Sequence, residues 1–131
     1  MNNPYDVLLS NKNYAVIGLT NDQTKFSNRI HELLKNKGKR SFGVHPTLGT
    51  LGDEVVYDSI EAIDHDIDVA VFVVNPTIGY DYLDAVKAKG IHTIWLQPGT
   101  VSDALVKKAN DIGLNVVEDC VLAVYARNES K

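Results

Sequence analysis

Cysteine is almost absent from this sequence of 131 residues, since Cys120 is its one example. A single thiol excludes an internal disulfide and is compatible with a reducing compartment. No apolar run approaches the roughly 20 residues that a membrane-spanning helix needs. The first residues, MNNPYDVLLSNKN, also lack the basic segment and the long apolar segment of a secretion signal. We therefore expect a cytoplasmic protein with no membrane partner.

The sequence also lacks an excess of positive charge. Lysine and arginine number 13 against 17 acidic residues, which gives a formal net charge of −4. Nucleic-acid binding normally needs a concentrated basic face, so we expect no nucleic-acid partner. The sequence also contains no linker or low-complexity stretch. Its length fits one hydrophobic core, and we predict a single domain over residues 1–131.

Recognisable catalytic and metal-binding patterns are missing as well. The four histidines, at 31, 45, 65 and 92, share no metal-ligand spacing, and we expect His31 and His65 to be solvated. The segment DHDID at 64–68 lacks the spacing and glycine of a calcium loop. Cys120 has no evident base beside it and is more simply a small buried residue. We predict neither catalytic residues nor a metal site.

Three segments repeat one pattern, an amphipathic helix followed by a glycine and an apolar strand. Gly38, Gly90 and Gly113 each follow the last predicted helical turn, where glycine most easily adopts a left-handed conformation. In the helix of the first of these segments, four apolar residues at i, i+4, i+7 and i+8 predict the buried face: Phe26, Ile30, Leu33 and Leu34.

The predicted strands are continuous apolar runs rather than alternating ones, at residues 15–18, 41–44, 69–74, 93–96 and 116–117. Continuous runs indicate burial on both faces, which is typical of a parallel sheet covered by helices. With right-handed crossovers, the sequence predicts a doubly wound, three-layer α/β domain with a five-stranded parallel sheet. We place the first strand at its centre. Between residues 45 and 68 we expect a glycine-bearing loop and a short helix that begins at Asp58 or Ser59.

The turn after the first strand resembles a phosphate site. Residues 18–22 join this strand to a helix whose first amides have no partner in the helix itself, and Gly18 permits a close approach of the backbone. Lys25 adds a charge, and Thr20 and Ser27 add hydroxyl donors. The alternative is that Thr20, Asn21 or Thr24 only caps the helix.

The usual fingerprint of an NAD site is incomplete. The second and third glycines of the dinucleotide motif are missing. His45 and Pro46 stand where an acidic residue would contact a ribose hydroxyl. Because ligands of open parallel sheets bind outside the carboxyl ends of the strands, the segments that follow the strands are the candidate site. They are polar and nearly uncharged, which favours binding over acid–base catalysis.

Most of the chain, from about residue 14 to 125, resembles the small stand-alone CoA-binding proteins, which are related to the N-terminal CoA-binding domain of the succinyl-CoA synthetase alpha subunit. The matching pieces, in order, are AVIGLT with KFS, GVHP with LGDEVVYDSI, DVAVFVV, TIWLQPG and GLNVVEDC. The resemblance implies a Rossmann-like fold that binds CoA or an acyl-CoA without catalytic residues of its own.

The resemblance also assigns residues to parts of the ligand. The CoA phosphates and ribose would face Gly18, Leu19, Thr20, Lys25 and Ser27. The adenosine would lie by His45 and Pro46, and the pantetheine arm would pass Val74, Asn75, Pro76 and Gln97. Two departures from the family pattern remove arginines, because residues 73–76 are Val-Val-Asn-Pro and residues 118–120 are Glu-Asp-Cys.

Three functions follow from these observations. The first is a non-catalytic CoA or acyl-CoA binding protein that acts as a sensor or carrier. The second is a regulatory domain that binds NAD(H) or another adenine nucleotide. The third is a protein-interaction module that has kept the fold and lost CoA, which the missing arginines favour. The sequence names no protein partner.

Overall fold

The computed structural model describes residues 3–129. Its elements, in chain order, are α1 Pro4–Ser10, β1 Asn13–Ile17, α2 Phe26–Asn36, β2 Arg40–Val44, β3 Thr50–Leu51, β4 Glu54–Tyr57, β5 Val69–Phe72, α3 Pro76–Ala88, β6 Thr93–Leu96, α4 Asp103–Asp111, β7 Asn115–Glu118 and α5 Val121–Glu129. None of these helices is long and apolar enough to cross a membrane.

The strands form one mostly parallel sheet in the order β3-β4-β2-β1-β5-β6-β7. The predicted Rossmann-like α/β architecture is confirmed, and β1 is the middle strand as expected. The number of strands was wrong, because the sheet has seven strands and not five. The two additional strands, β3 and β4, form an antiparallel hairpin in which Thr50 pairs with Val55. They lie in the segment for which the sequence predicts only a loop.

Two hydrophobic cores lie on opposite faces of the sheet, which gives the predicted three layers. Alternate residues of β1 enter different cores: Ala15 and Ile17 face α3 and α4, whereas Tyr14 and Val16 face α1, α2 and α5. All four side chains are fully buried. Burial on both faces explains why the central strands read as continuous apolar runs.

Two local predictions were wrong in part or in full. The short helix expected from Asp58 or Ser59 is only a turn, in which the Ile63 amide donates to the Ile60 carbonyl at 3.1 Å. On α2, Phe26 is 56% exposed, whereas Ile30 and Leu34 are buried as predicted and Leu33 is half-buried. The buried face of α2 also includes Ser27, Asn28 and His31. The short helices α1 and α5 were not predicted from the sequence.

The strand order reverses between β1 and β5, because the chain winds to β2 on one side of β1 and to β6 and β7 on the other. Such a reversal leaves a crevice at the carboxyl ends of the strands. Hydrogen bonds tie the strand ends together there: the Gly18 amide donates to the Val44 carbonyl at 2.9 Å, and the Val73 amide donates to the Ile17 carbonyl at 2.9 Å. The candidate site lies at this edge.

Candidate functional site

Gly18 ends β1 with a φ of +104°, a conformation that other residues rarely adopt. A Cβ atom on Gly18 would lie 2.8 Å from the Val73 carbonyl oxygen and 2.9 Å from Val74 Cγ1. The glycine is therefore required by the close approach of the β1 and β5 ends. The same contact places two of the predicted site residues, Gly18 and Val74, against each other.

Leu19 points into the protein rather than toward the edge. Its side chain is 1% exposed and lies over Gly43 of β2, where a Cβ would meet Leu19 Cδ2 at 2.1 Å. Only the backbone of Leu19 is positioned to face a ligand. The leucine side chain fixes the direction in which the chain leaves β1.

Asn28 of α2 holds the rest of the turn, and the sequence analysis did not identify it. Its Oδ1 accepts hydrogen bonds from the Thr20 amide at 3.1 Å and from the Ser27 hydroxyl at 3.0 Å, and its Nδ2 donates to the Thr20 carbonyl at 2.6 Å. Asn28 is 3% exposed. The structure thus brings Thr20 and Ser27 together, but through a buried amide that already uses their donors.

The first turn of α2 supplies the free donors of the site. The amides of Phe26, Ser27 and Asn28 have no acceptor among residues 3–129. Lys25 is the N-cap residue, and its side chain is exposed and forms no ion pair within the described residues. None of the expected capping residues, Thr20, Asn21 or Thr24, caps the helix. Free amides, the helix dipole and one lysine together suit an anion.

A histidine stabilises the turn that follows β2. The His45 Nδ1 accepts hydrogen bonds from the amides of Thr47 at 3.1 Å and Leu48 at 3.0 Å, so this nitrogen carries no proton. Pro46 is exposed beside it. These contacts stabilise the turn into the β3–β4 hairpin. The ring of His45 remains partly exposed.

The end of β5 leads directly into α3. Val74 is half-buried against the core, and the exposed Asn75 caps α3 by accepting a hydrogen bond from the Ile78 amide at 3.0 Å. Pro76 is the first helical residue, a position where its missing amide costs nothing.

Gln97, after β6, is 3% exposed and connects two elements. Its Oε1 accepts from the Trp95 indole at 3.1 Å and from the Val121 amide at 2.8 Å, which caps α5. The Trp95 indole also donates to the Asp119 carbonyl at 2.7 Å. The Gln97 Nε2 has no hydrogen-bond partner among residues 3–129, and it is the part of this side chain that is free to meet a ligand.

Residue 119 is an aspartate where the family pattern has an arginine, and an arginine from another element lies beside it. Arg127 of α5 pairs with the Asp119 carboxylate at 2.6 Å. This hydrogen bond, together with one from the Cys120 amide, holds the pKa of Asp119 below its ordinary value. The arginine is therefore committed to a carboxylate and does not replace the missing phosphate ligand.

A cleft of about 590 Å³ lies between α2 and the β3–β4 hairpin; none of the predicted site residues lines it, but Asn28 does. Beside it, His31 is 1% exposed, so the expectation that it is solvated was wrong. Its Nε2 lies 2.9 Å from Glu54 and its Nδ1 lies 2.7 Å from the Ser41 hydroxyl. His31, Glu32 and Glu54 could together face a metal, but the Lys35 ammonium already bridges the two carboxylates at 3.2 and 2.8 Å.

Comparison with known proteins shows the family and the fold of this chain. A sequence model described as a CoA binding domain matches residues 12–126. A hypothetical protein from Pyrococcus horikoshii OT3 is 24% identical, with a TM-score of 0.88 over 94% of this chain and 87% of that chain. The cell-free ID.343 structure from Thermus thermophilus is 25% identical, with a TM-score of 0.86 over 94% of both chains.

A larger protein contains the same fold as one part. The dinucleotide forming acetyl-coenzyme A synthetase 1 of Ca. Korarchaeum cryptofilum is 20% identical, with a TM-score of 0.69. The match covers 82% of this chain and 26% of that chain.

Proposed function

Because the chain belongs to the CoA binding domain family, we propose that it binds coenzyme A or an acyl-CoA at the carboxyl edge of its sheet, without catalysing a reaction, as a sensor or carrier. The observation that carries the proposal is the first turn of α2. Three amides that have no acceptor in the described part of the chain, and the exposed Lys25, lie next to the crevice between β1 and β5. A CoA diphosphate is the charged group that this arrangement would stabilise.

The rest of the ligand is placed by the family resemblance, in a direction that the strand order permits. With the diphosphate at the end of β1, the adenosine lies toward β2, near His45 and Pro46. The pantetheine arm lies toward β5 and β6, past Val74, Asn75, Pro76 and the Gln97 amide. The site is poor in cations, so we expect backbone amides to provide most of the phosphate contacts.

One observation favours the third function, a protein-interaction module without CoA. The Thr20 amide donates to Asn28 Oδ1, and the Thr20 hydroxyl donates to the Asp22 carbonyl. Thr20 therefore has fewer free donors for a phosphate than the sequence predicts. Binding of NAD(H) or another adenine nucleotide is the remaining alternative, because the α2 terminus would accept any diphosphate.

Thermal unfolding with each ligand separates these functions. A ligand that binds only the folded state raises the melting temperature by mass action. CoA should raise it more than NAD or ATP does at equal concentration. A larger shift with NAD would favour the nucleotide-binding alternative, and no shift with any ligand would favour the interaction module. Mass spectrometry of ligand released from freshly purified, undialysed protein provides an independent check.

A further inference from the structure

A second concave surface lies between the first turns of α3 and α4. It has a volume of about 450 Å³, and its mostly apolar wall is formed by Pro76, Thr77, Tyr80, Asp81, Ser102 and Ala104. Nearby in the chain, Ile78 and Val101 expose 46% and 36% of their surfaces. We call this surface the α3–α4 groove. An apolar ligand in the groove would remove this surface from water, which favours its binding.

The position of the groove indicates what covers it. Pro76 begins α3 directly after Asn75, on the route proposed for the pantetheine arm, and α4 begins just beyond the loop that follows Gln97. An arm that crosses the ends of β5 and β6 therefore arrives with its sulfur end at the mouth of the groove. This step rests on the proposed function.

The apolar part of the groove is short. The Lys108 ammonium lies 4.5 Å from the centre of the Tyr80 ring and pairs with Asp84 at 3.1 Å, so charged groups lie against Tyr80. From Pro76 to Tyr80 the helix rises about 6 Å. This length suits a chain of a few carbons.

The charge of the groove restricts the chemistry further. Asp81 lies in its wall, and Asp103 is exposed in the same turn of α4 as Ala104. These carboxylates disfavour an acyl group with its own terminal carboxylate. We propose that the α3–α4 groove binds the uncharged, apolar chain of a short-chain acyl-CoA, so that the protein distinguishes acyl-CoA from free CoA.

Calorimetric titration of the full chain with CoA, acetyl-CoA, butyryl-CoA, octanoyl-CoA and succinyl-CoA tests the proposal. Each methylene that enters the groove should tighten binding roughly fourfold, so butyryl-CoA should bind on the order of tenfold more tightly than acetyl-CoA. Octanoyl-CoA should gain little more because a longer chain would meet the charged groups beside Tyr80, and succinyl-CoA should bind more weakly than butyryl-CoA.

Two matched variants locate the effect. Ala104→Asp places a charge in the groove, and Ala123→Asp places the same charge on another exposed alanine in the first turn of α5. Ala104→Asp should abolish the preference for butyryl-CoA while CoA still binds, and Ala123→Asp should retain the preference.

The outcomes separate this inference from the proposed function. Equal affinities for CoA and butyryl-CoA would overturn the groove and leave the CoA site standing. A preference that both variants keep would also overturn it, because the chain would then bind elsewhere. Absence of binding by every ligand would overturn the proposed function and the inference with it.

Discussion

Asn28 shows how much of this site depends on a single buried side chain. Its amide group bonds both the donor and the acceptor of the Thr20 backbone and also the Ser27 hydroxyl. A buried amide with several hydrogen bonds holds its partners in one arrangement, since each broken bond would leave a polar group unpaired. Thr20 and the Ser27 hydroxyl, both predicted to contact phosphate, are thus part of the scaffold, whereas Lys25 and the first amides of α2 have no partner among residues 3–129.

Gly18 is constrained by the protein itself rather than by a ligand. The Gly18→Ala variant should lose about 1–3 kcal/mol of unfolding free energy from its backbone conformation alone. The contact of the new Cβ with the Val73 carbonyl oxygen should add to that loss. Urea unfolding measures the difference through the midpoint at an unchanged slope.

Gly38 provides the matched control for this substitution. It has a φ of +79°, and no atom lies within 4 Å of its Cβ position. Gly38→Ala therefore costs only the conformational part, roughly 1–2 kcal/mol. If both variants lost the same stability, the contact between the β1 and β5 ends would not be what requires glycine at position 18.

Lys25 is the side chain to test for phosphate binding. Lys25→Ala should weaken CoA binding by about 1.5–3 kcal/mol, roughly tenfold or more, because it removes a charge-assisted contact. The effect should shrink as salt rises, since ions screen an exposed pair. Titration calorimetry at low and high salt measures both effects.

Folding should barely change in this variant, because Lys25 is exposed and its side chain makes no hydrogen bond that caps α2. Lys107→Ala removes another exposed lysine, on α4, whose ammonium pairs with Asp111, and it should leave CoA affinity unchanged. Wild-type affinity of Lys25→Ala at low salt would remove Lys25 from the site.

At the scale of elements, one ionic cluster connects the β3–β4 hairpin to α2. Glu54 of β4 is bonded by His31 and Lys35 of α2, at 2.9 and 2.8 Å. Burial by itself would raise the pKa of the Glu54 carboxyl. The hydrogen bonds from Lys35 and His31 outweigh burial, so the pKa lies below its ordinary value. The cluster therefore ties the edge of the sheet to a helix that also carries the candidate site.

This shift predicts how stability depends on acid. A carboxyl whose pKa is lower in the folded than in the unfolded state stabilises the protein above the unfolded pKa, and the contribution is lost as pH falls through the folded pKa. The melting temperature of the wild type should therefore fall more than that of Glu54→Gln when the pH is lowered from about 5 to about 3.

Glu118→Gln is the control for this comparison. Glu118 is an exposed carboxylate on β7 without a hydrogen bond or ion pair among residues 3–129. Its substitution should leave the acid dependence of the wild type in place. Parallel curves for Glu54→Gln and the wild type would show that the cluster does not stabilise the hairpin through this charge.

At the scale of the whole molecule, the position of the candidate site depends on the order of the strands in the sheet. The segments that follow β1, β2, β5 and β6 are far apart in the chain, and parallel pairing brings them to one edge. The reversal of strand order at β1 and β5 provides the crevice. That the whole chain forms one domain remains a prediction.

The sequence by itself determined the layers of the fold and the central position of β1, and that the segments after the strands carry the site stays a prediction. These features follow from local patterns, since runs such as residues 69–72 have to be buried on both faces. Tertiary structure decided the rest. The β3–β4 hairpin, in which Thr50 pairs with Val55, joins the sheet because β4 pairs with the edge of β2. His31 is buried because it meets Glu54 from another element, and Asn28 is buried because it bonds the Thr20 backbone across the turn. Residue patterns record hydrophobicity but not these partners, and the partners determine which polar side chains remain free to bind a ligand.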